Sequence, residues 1–68
     1  MKFDIYGRFQ LEVLRENDRW NVYRTALGVR RREDLVIPAN VGGEEIATYL
    51  DDLFHEAAKF GDRVERID

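Results

Sequence analysis

Three consecutive arginines, Arg30-Arg31-Arg32, are the residues of this 68-residue sequence best suited to contact phosphate groups. A strand alternates its side chains, so Arg30 and Arg32 would point to one face and Arg31 to the other. Glu33 and Asp34 follow directly, and the isoelectric point of about 5.1 is low for a nucleic-acid-binding domain, which is usually strongly basic. We therefore interpret the triplet as a solvated edge strand whose charge blocks pairing with other sheets. Nucleic-acid contact is the alternative.

Tyrosines on an open sheet could extend such a nucleic-acid site. Tyr6 and Tyr23 both fall on the polar side of the predicted strands, and Arg8 is close to Tyr6 in sequence. Aromatic side chains on a sheet can stack the bases of single-stranded nucleic acids. A half-exposed tyrosine is also an ordinary strand residue, which is the interpretation we favour. The alternative nucleic-acid site consists of Arg30, Arg31, Arg32, Tyr6, Arg8 and Tyr23.

Residues for catalysis or metal binding do not converge in the sequence. The segment His55 to Lys59 reads HEAAK, and a zinc-protease motif would need a second histidine where Lys59 stands. Asp51 and His55 are one helical turn apart, which predicts a surface ion pair. The only threonines are Thr25 and Thr48, and serine and cysteine are absent. The sequence therefore offers almost no residues that could form a hydroxyl nucleophile paired with an imidazole base. We expect no enzymatic activity, no catalytic residue, no metal site and no cofactor.

Length and composition predict one small folded domain, residues 1–68. The chain has no cysteine, so disulfides cannot stabilise it, and the composition suits a reducing compartment. No stretch approaches the roughly 20 apolar residues of a membrane span, and the N-terminus does not resemble a signal peptide. We therefore expect a soluble, cytoplasmic protein with no membrane partner.

The net charge of −3 is unevenly distributed along the chain. Residues 1–42 carry eight basic and six acidic side chains, whereas residues 43–60 carry one basic and five acidic side chains. Such an asymmetry predicts either charge pairing within the protein or two faces that suit different neighbours.

Alternating apolar residues predict the strands. From Phe3 to Val13 the odd positions are almost all apolar, and we interpret this stretch as one continuous strand that bends at Gly7. A tight turn at Asn17-Asp18 would place Val13 opposite Val22, apolar against apolar.

A second turn at Leu27-Gly28 leads to a third extended segment, Val29 to Ile37. Proline ends this segment at position 38, because it cannot donate a hydrogen bond to a neighbouring strand.

The apolar residues between 42 and 61 recur with helical spacing and predict a helix of about five turns. They are Ile46, Leu50, Leu53, Ala57 and Phe60, with Tyr49 and Phe54 beside them. Residues 62–68 would form either a short strand or a frayed tail. The predicted fold is α+β: a two-layer, three- to four-stranded antiparallel meander with one C-terminal helix packed on one face.

The segments FDIYGRFQLEV, DLVIP and IATYLDDLFHE resemble those of a family of short bacterial proteins classed only as a domain of unknown function. The likeness covers nearly the whole length. It implies a small stand-alone bacterial protein, and it transfers no activity and no functional residue.

Two functional hypotheses follow. We favour a non-enzymatic protein-interaction module that binds another protein or a second copy of itself, because the domain is small, no disulfide reinforces it and residues 29–37 suit an edge strand. The alternative is a weak nucleic-acid-binding module that uses the arginine-rich strand and the sheet tyrosines. A regulatory partner of the antitoxin type fits the size class by analogy alone.

Overall fold

A computed structural model describes all 68 residues of the chain. Its elements are β1 Lys2–Ile5, β2 Phe9–Glu16, β3 Arg19–Ala26, β4 Val29–Arg32, α1 Ile46–Phe54 and β5 Val64–Arg66. The strands form one antiparallel sheet in the spatial order β4-β3-β2-β1-β5, and α1 packs on one of its faces. The predicted α+β class is confirmed, but the sheet has five strands rather than three to four.

The predicted continuous strand from Phe3 to Val13 is wrong, because the chain reverses direction at residues 6–8 and separates β1 from β2. Tyr6 and Gly7 adopt positive φ angles of 56° and 70° to make this turn. A three-residue connection places odd residues opposite odd residues, so the apolar side chains still share one face. The facing pairs are Lys2 and Glu12, Phe3 and Leu11, Asp4 and Gln10, and Ile5 and Phe9.

The predicted turn at Asn17-Asp18 is confirmed. Both residues have positive φ angles, 51° and 60°, as expected for a two-residue hairpin whose twist matches that of its strands. Glu16 faces Arg19 at the end of the hairpin, and the register continues from there into the buried part of β2 and β3.

The third predicted segment, Val29 to Ile37, is only partly a strand, since β4 ends at Arg32. The chain then leaves the sheet and crosses toward the helix as irregular structure. Ile37 is buried in the core, and the hydroxyl of Tyr49 donates a hydrogen bond to the carbonyl of Val36 at 3.2 Å. The apolar end of this segment therefore contributes Ile37 to the core and does not extend the sheet.

The helix is shorter than its apolar pattern suggests. Between 3₁₀ turns at Gly43–Glu45 and His55–Ala57, only Ile46–Phe54 is α-helical. The later members of the predicted apolar stripe are exposed: Leu53 retains 46% of its accessible surface and Phe60 retains 109%. The α-helix passes into the 3₁₀ turn at His55–Ala57, after which the chain returns beside β1.

Residues 62–68 return to the sheet, where Val64–Arg66 pair with β1 as an edge strand. The core lies between the sheet and the helix, as predicted from the two apolar faces. Its nine members are Phe3, Ile5, Tyr6, Leu11, Val13, Val22, Ile37, Ile46 and Leu50.

Candidate interaction edge at β4

The strand β4 forms one free edge of the sheet, and all four of its residues are exposed. It is joined to β3 by the two-residue turn Leu27-Gly28, in which both residues have positive φ angles. Val29 faces Ala26 directly after the turn. The arginine triplet thus lies on an edge strand, as the sequence predicts.

The backbone groups of Arg30 and Arg32 point away from the sheet. In an antiparallel pair, residues that exchange backbone hydrogen bonds alternate with residues that do not. The N–H of Glu33 donates to the carbonyl of Val22 at 2.9 Å, so the odd-numbered residues of this stretch face β3. The N–H and C=O groups of Arg30 and Arg32 therefore face outward, on the side where no strand pairs with β4.

The side chains of Arg30 and Arg32 lie on the sheet face opposite the helix. The guanidinium of Arg30 forms an ion pair with Glu12 at 3.2 Å and lies 4.1 Å from the ring centre of Tyr23. Arg32 donates a hydrogen bond to the side-chain oxygen of Asn21 at 3.2 Å. These contacts hold both guanidinium groups at the edge while leaving them open to solvent.

Arg31 lies on the helix-side face and has neither an ion pair nor a side-chain hydrogen bond in the structure. It faces Arg24 across the β3–β4 pair, and like charges in that position repel. Glu33 forms an ion pair with Arg24 at 2.8 Å, and the ring of Phe9 packs against the same guanidinium at 4.0 Å. Because Arg24 engages Glu33, Arg31 is left without a counter-charge. The charge of Arg31 is therefore available to a ligand.

A groove of about 480 Å³ lies beside Arg31 on the helix-side face of the β3–β4 hairpin. The helix does not close it, because α1 packs nearest to β5 at the other edge of the sheet. Its apolar wall comes from Ala26, Leu27 and Val29, all three of which are exposed. The β4 edge thus combines unpaired backbone groups, a free guanidinium and an apolar groove.

Leu27 occupies an unfavourable position at the tip of this hairpin. Its φ angle is 53°, a left-handed conformation that costs a leucine roughly 1–2 kcal/mol, and its side chain is fully exposed. The equivalent turn between β2 and β3 uses Asn17 and Asp18, which tolerate this conformation better. The sequence shows an apolar residue before a turn glycine at this position. It does not show that the leucine side chain lacks packing partners and has an unfavourable backbone conformation.

The structure does not place Tyr6 on the open sheet face with Tyr23, as the base-stacking alternative requires. Tyr6 is buried, and its hydroxyl donates to the Asp51 carboxylate at 2.7 Å and lies 3.2 Å from the Asp51 carbonyl oxygen. Burial, together with the bond to Asp51, raises the pKa of Tyr6 to about 12. Because its ring is enclosed in the core, Tyr6 cannot stack a base.

Arg8 is also separated from the other predicted nucleic-acid residues. Its guanidinium donates to the carbonyl of Ala57 at 2.7 Å and pairs with Asp62 at 3.4 Å. It therefore joins the β1–β2 turn to the end of the helix region. Of the six residues in the alternative site, Arg30, Arg32 and Tyr23 share one face of the sheet. Arg31 lies on the opposite face.

The predicted ion pair between Asp51 and His55 is absent from the structure, in which Asp51 instead accepts the hydrogen bond of Tyr6. No group of three or more histidine, aspartate and glutamate side chains comes together in a way that could hold a metal ion. No helix has the length and apolar character needed to cross a bilayer.

The comparison with protein families matches the chain over its whole length. The matching family model is described as Domain of unknown function (DUF7661), and it covers residues 1–68. The chain belongs to this family. The resemblance to a domain of unknown function, noted from the three sequence segments, is thereby confirmed, and the family description assigns no activity. No curated protein and no solved structure matches the chain.

Proposed function

We propose that this protein is a non-enzymatic interaction module that binds an extended segment of another protein along β4. The observation that carries the proposal is the pair of outward-facing N–H and C=O groups on Arg30 and Arg32. An extended peptide can form hydrogen bonds to such groups and add a strand to the sheet. The apolar groove beside the strand supplies a pocket for alternate side chains of the incoming segment.

The opposite edge, β5, is less suited to this role. Its charged side chains pair with one another: Arg63 contacts Glu65, and Arg66 donates to Asp68 at 2.9 Å. The strand has three residues, and its charges are largely balanced. The β4 edge is longer and carries three positive charges. It therefore offers a partner strand more backbone hydrogen-bonding groups, and it attracts a negatively charged partner more strongly.

Charge also favours a different protein over a second copy at this edge. Pairing β4 with the β4 strand of another copy would bring the two arginine triplets together. Like charges directly opposite each other destabilise a sheet pair. The triplet therefore blocks self-pairing, as the edge-strand interpretation of the sequence predicts, while it leaves the edge open to a partner of opposite charge.

The proposed module acts in the cytoplasm of a bacterium, in keeping with its cysteine-free sequence and the bacterial character that the sequence resemblance implies. Binding requires no cofactor, since backbone hydrogen bonds, arginine side chains and apolar contacts supply the interaction. The partner is a protein with an accessible extended segment.

Photo-crosslinking in cells that naturally express the protein tests the proposal. A photoreactive amino acid at position 29, beside the groove, should capture a protein that the same group at Thr48, on the exposed side of α1, does not. Arg32→Pro should abolish this crosslink, because proline removes the outward N–H of a residue that makes no backbone bond to β3. Arg32→Gln retains that N–H and should retain most of the crosslink.

Circular dichroism should show that Arg32→Pro is folded, since proline is tolerated where an edge-strand N–H faces solvent. Equal capture at positions 29 and 48, or capture that survives in a folded Arg32→Pro variant, would contradict binding along the β4 edge.

Nucleic-acid binding is the second candidate, because Arg30, Arg32 and Tyr23 share one sheet face. Arg30 already covers the Tyr23 ring and pairs with Glu12, so a base could stack there only by displacing it. A gel shift with single-stranded and duplex probes at low salt tests this candidate. A shift that is lost on combining Arg30→Ala with Arg32→Ala would support it, and no shift for the wild type would exclude it.

A further inference from the structure

We infer that the segment which docks on β4 is acidic, with consecutive carboxylate side chains flanked by an apolar residue that enters the groove. This inference rests on the proposed function and names the chemistry of its partner. It follows from the positions of the three arginines and of the apolar wall along the strand.

Residues that face each other in neighbouring strands have their side chains on the same side of the sheet. Ligand residues opposite Arg30 and Arg32 would therefore lie on the face away from the helix, and the residue opposite Arg31 would lie on the helix side. Carboxylates at these three successive positions would each meet one guanidinium group.

The positive charges of the β4 arginines are not all neutralised within the protein. Arg31 has no acidic partner in the protein, and its cross-strand neighbour Arg24 engages Glu33. The Arg30 side chain keeps half of its accessible surface despite its contact with Glu12. A carboxylate from the ligand would supply the missing counter-charge of Arg31 and would also relieve the repulsion between Arg31 and Arg24.

The apolar end of the groove is exposed to solvent. Val29 keeps 53% of its surface exposed, and Leu27 is fully exposed in a strained backbone conformation. Backbone strain of this kind occurs where a surrounding or functional constraint maintains it, and no residue of this protein covers the Leu27 side chain. An apolar ligand residue beside the carboxylates would cover both side chains.

Titration of the ¹⁵N-labelled protein with short synthetic peptides tests the inference. The acidic probe is acetyl-Thr-Leu-Glu-Glu-Glu-Leu-Thr-amide, whose leucines lie on the same face as the glutamate opposite Arg31 and whose symmetric sequence suits either strand direction. Two matched probes carry glutamine or lysine in place of glutamate, and a third is the acidic peptide with alternate backbone nitrogens methylated. A short oligothymidylate serves as a polyanion without a peptide backbone.

The acidic peptide should shift the amide signals of residues 29–32 and bind about tenfold more tightly than the glutamine peptide, since each cross-strand charge pair contributes modestly. Methylation should weaken binding, because it removes the N–H groups that pair with β4. Arg31→Gln should weaken binding about threefold, whereas Arg19→Gln, an exposed arginine elsewhere on the sheet, should leave it nearly unchanged.

The outcomes separate the two proposals. If the glutamine peptide shifts residues 29–32 and binds as tightly as the acidic one, the acidic preference is wrong and docking on β4 stands. If none of the peptides perturbs residues 29–32, the proposed function itself fails. If the methylated peptide binds equally well, or the oligothymidylate binds more tightly at the same residues, charge alone attracts the ligand and the strand-docking inference is overturned.

Discussion

Replacing Tyr6 by phenylalanine removes one hydroxyl group from the junction of the β1–β2 turn, the helix and the segment before β5. That hydroxyl donates to the Asp51 carboxylate at 2.7 Å, and the ring of Tyr6 is part of the core. Phenylalanine preserves the ring and its packing. The substitution therefore isolates the hydrogen bond between the turn and Asp51 in α1.

The size of the effect follows from the charge of the acceptor. A hydrogen bond to a charged group contributes about 1.5–3 kcal/mol to stability. Because Asp51 is only partly buried, water can hydrogen-bond to its carboxylate when the tyrosine hydroxyl is removed, which reduces the loss. We expect a loss of about 1.5–2 kcal/mol in the free energy of unfolding. For a domain of this size, that loss lowers the melting temperature by about 10 °C.

Chemical denaturation and thermal melting measure this loss, and Tyr49→Phe provides the matched control. The Tyr49 hydroxyl donates to a neutral carbonyl, that of Val36, at 3.2 Å. We expect that control to cost about 0.5 kcal/mol.

The pH dependence of stability provides an independent test of the same bond. The pKa of Tyr6 is raised from 10.0 to about 12 in the folded protein, so the unfolded chain loses this proton first as the pH rises. The stabilisation is fully present below about pH 10 and is lost as the pH rises toward about 12. The difference in stability between the wild type and Tyr6→Phe should therefore shrink above about pH 10.

Two results would refute this reasoning. Equal losses of stability for Tyr6→Phe and Tyr49→Phe would show that the charged acceptor adds nothing. A difference between wild type and Tyr6→Phe that stays constant from about pH 9 to about pH 11 would show that folding does not retain the Tyr6 proton.

Four further substitutions test the turns and the core by thermal or chemical denaturation. Leu27→Asn should stabilise the protein by about 1 kcal/mol, because asparagine tolerates a positive φ angle. The same substitution should weaken binding of the acidic peptide. Unchanged stability would show that the leucine is not strained. Gly7→Ala, at φ 70° with open space around it, should cost about 1 kcal/mol through backbone strain alone, and a neutral effect would contradict that turn geometry. Leu50→Ala should cost about 2–5 kcal/mol and Leu53→Ala less than about 1 kcal/mol, since only Leu50 is fully buried; similar losses would contradict the described helix face.

Local sequence signals were sufficient for the β2–β3 hairpin and insufficient for the β1–β2 hairpin. Asn17 and Asp18 suit the positive φ angles of a tight turn, and the register they set pairs apolar residues with each other. At Tyr6-Gly7-Arg8, a bent strand and a three-residue turn keep the same residues on the same face. Alternation alone cannot distinguish these two structures, because both preserve the period of two.

The contacts that select the β1–β2 turn are distant in sequence. Tyr6 adopts a positive φ angle that is unfavourable for a tyrosine, and its hydroxyl bond to Asp51 and its burial in the core compensate for this conformation. Arg8 reaches the carbonyl of Ala57, near the end of the helix region. Both partners lie more than forty residues away, so no local pattern could reveal them.

The candidate interaction edge shows the same division. The sequence predicted that Arg30 and Arg32 would alternate with Arg31 and that this stretch would form an edge strand. It did not reveal that Glu33 would pair with Arg24 and leave Arg31 without a counter-charge. That outcome depends on the register between β3 and β4 and on the point at which the chain leaves the sheet.

The amino-acid sequence by itself determined the α+β class, the apolar face of the sheet, and the Asn17-Asp18 hairpin, because each depends on residues close together in the chain. Only the tertiary structure decided where the helix ends, that Val64–Arg66 become a fifth strand, and that Tyr6 lies in the core. These features depend on contacts between distant segments, whose energies no local pattern contains.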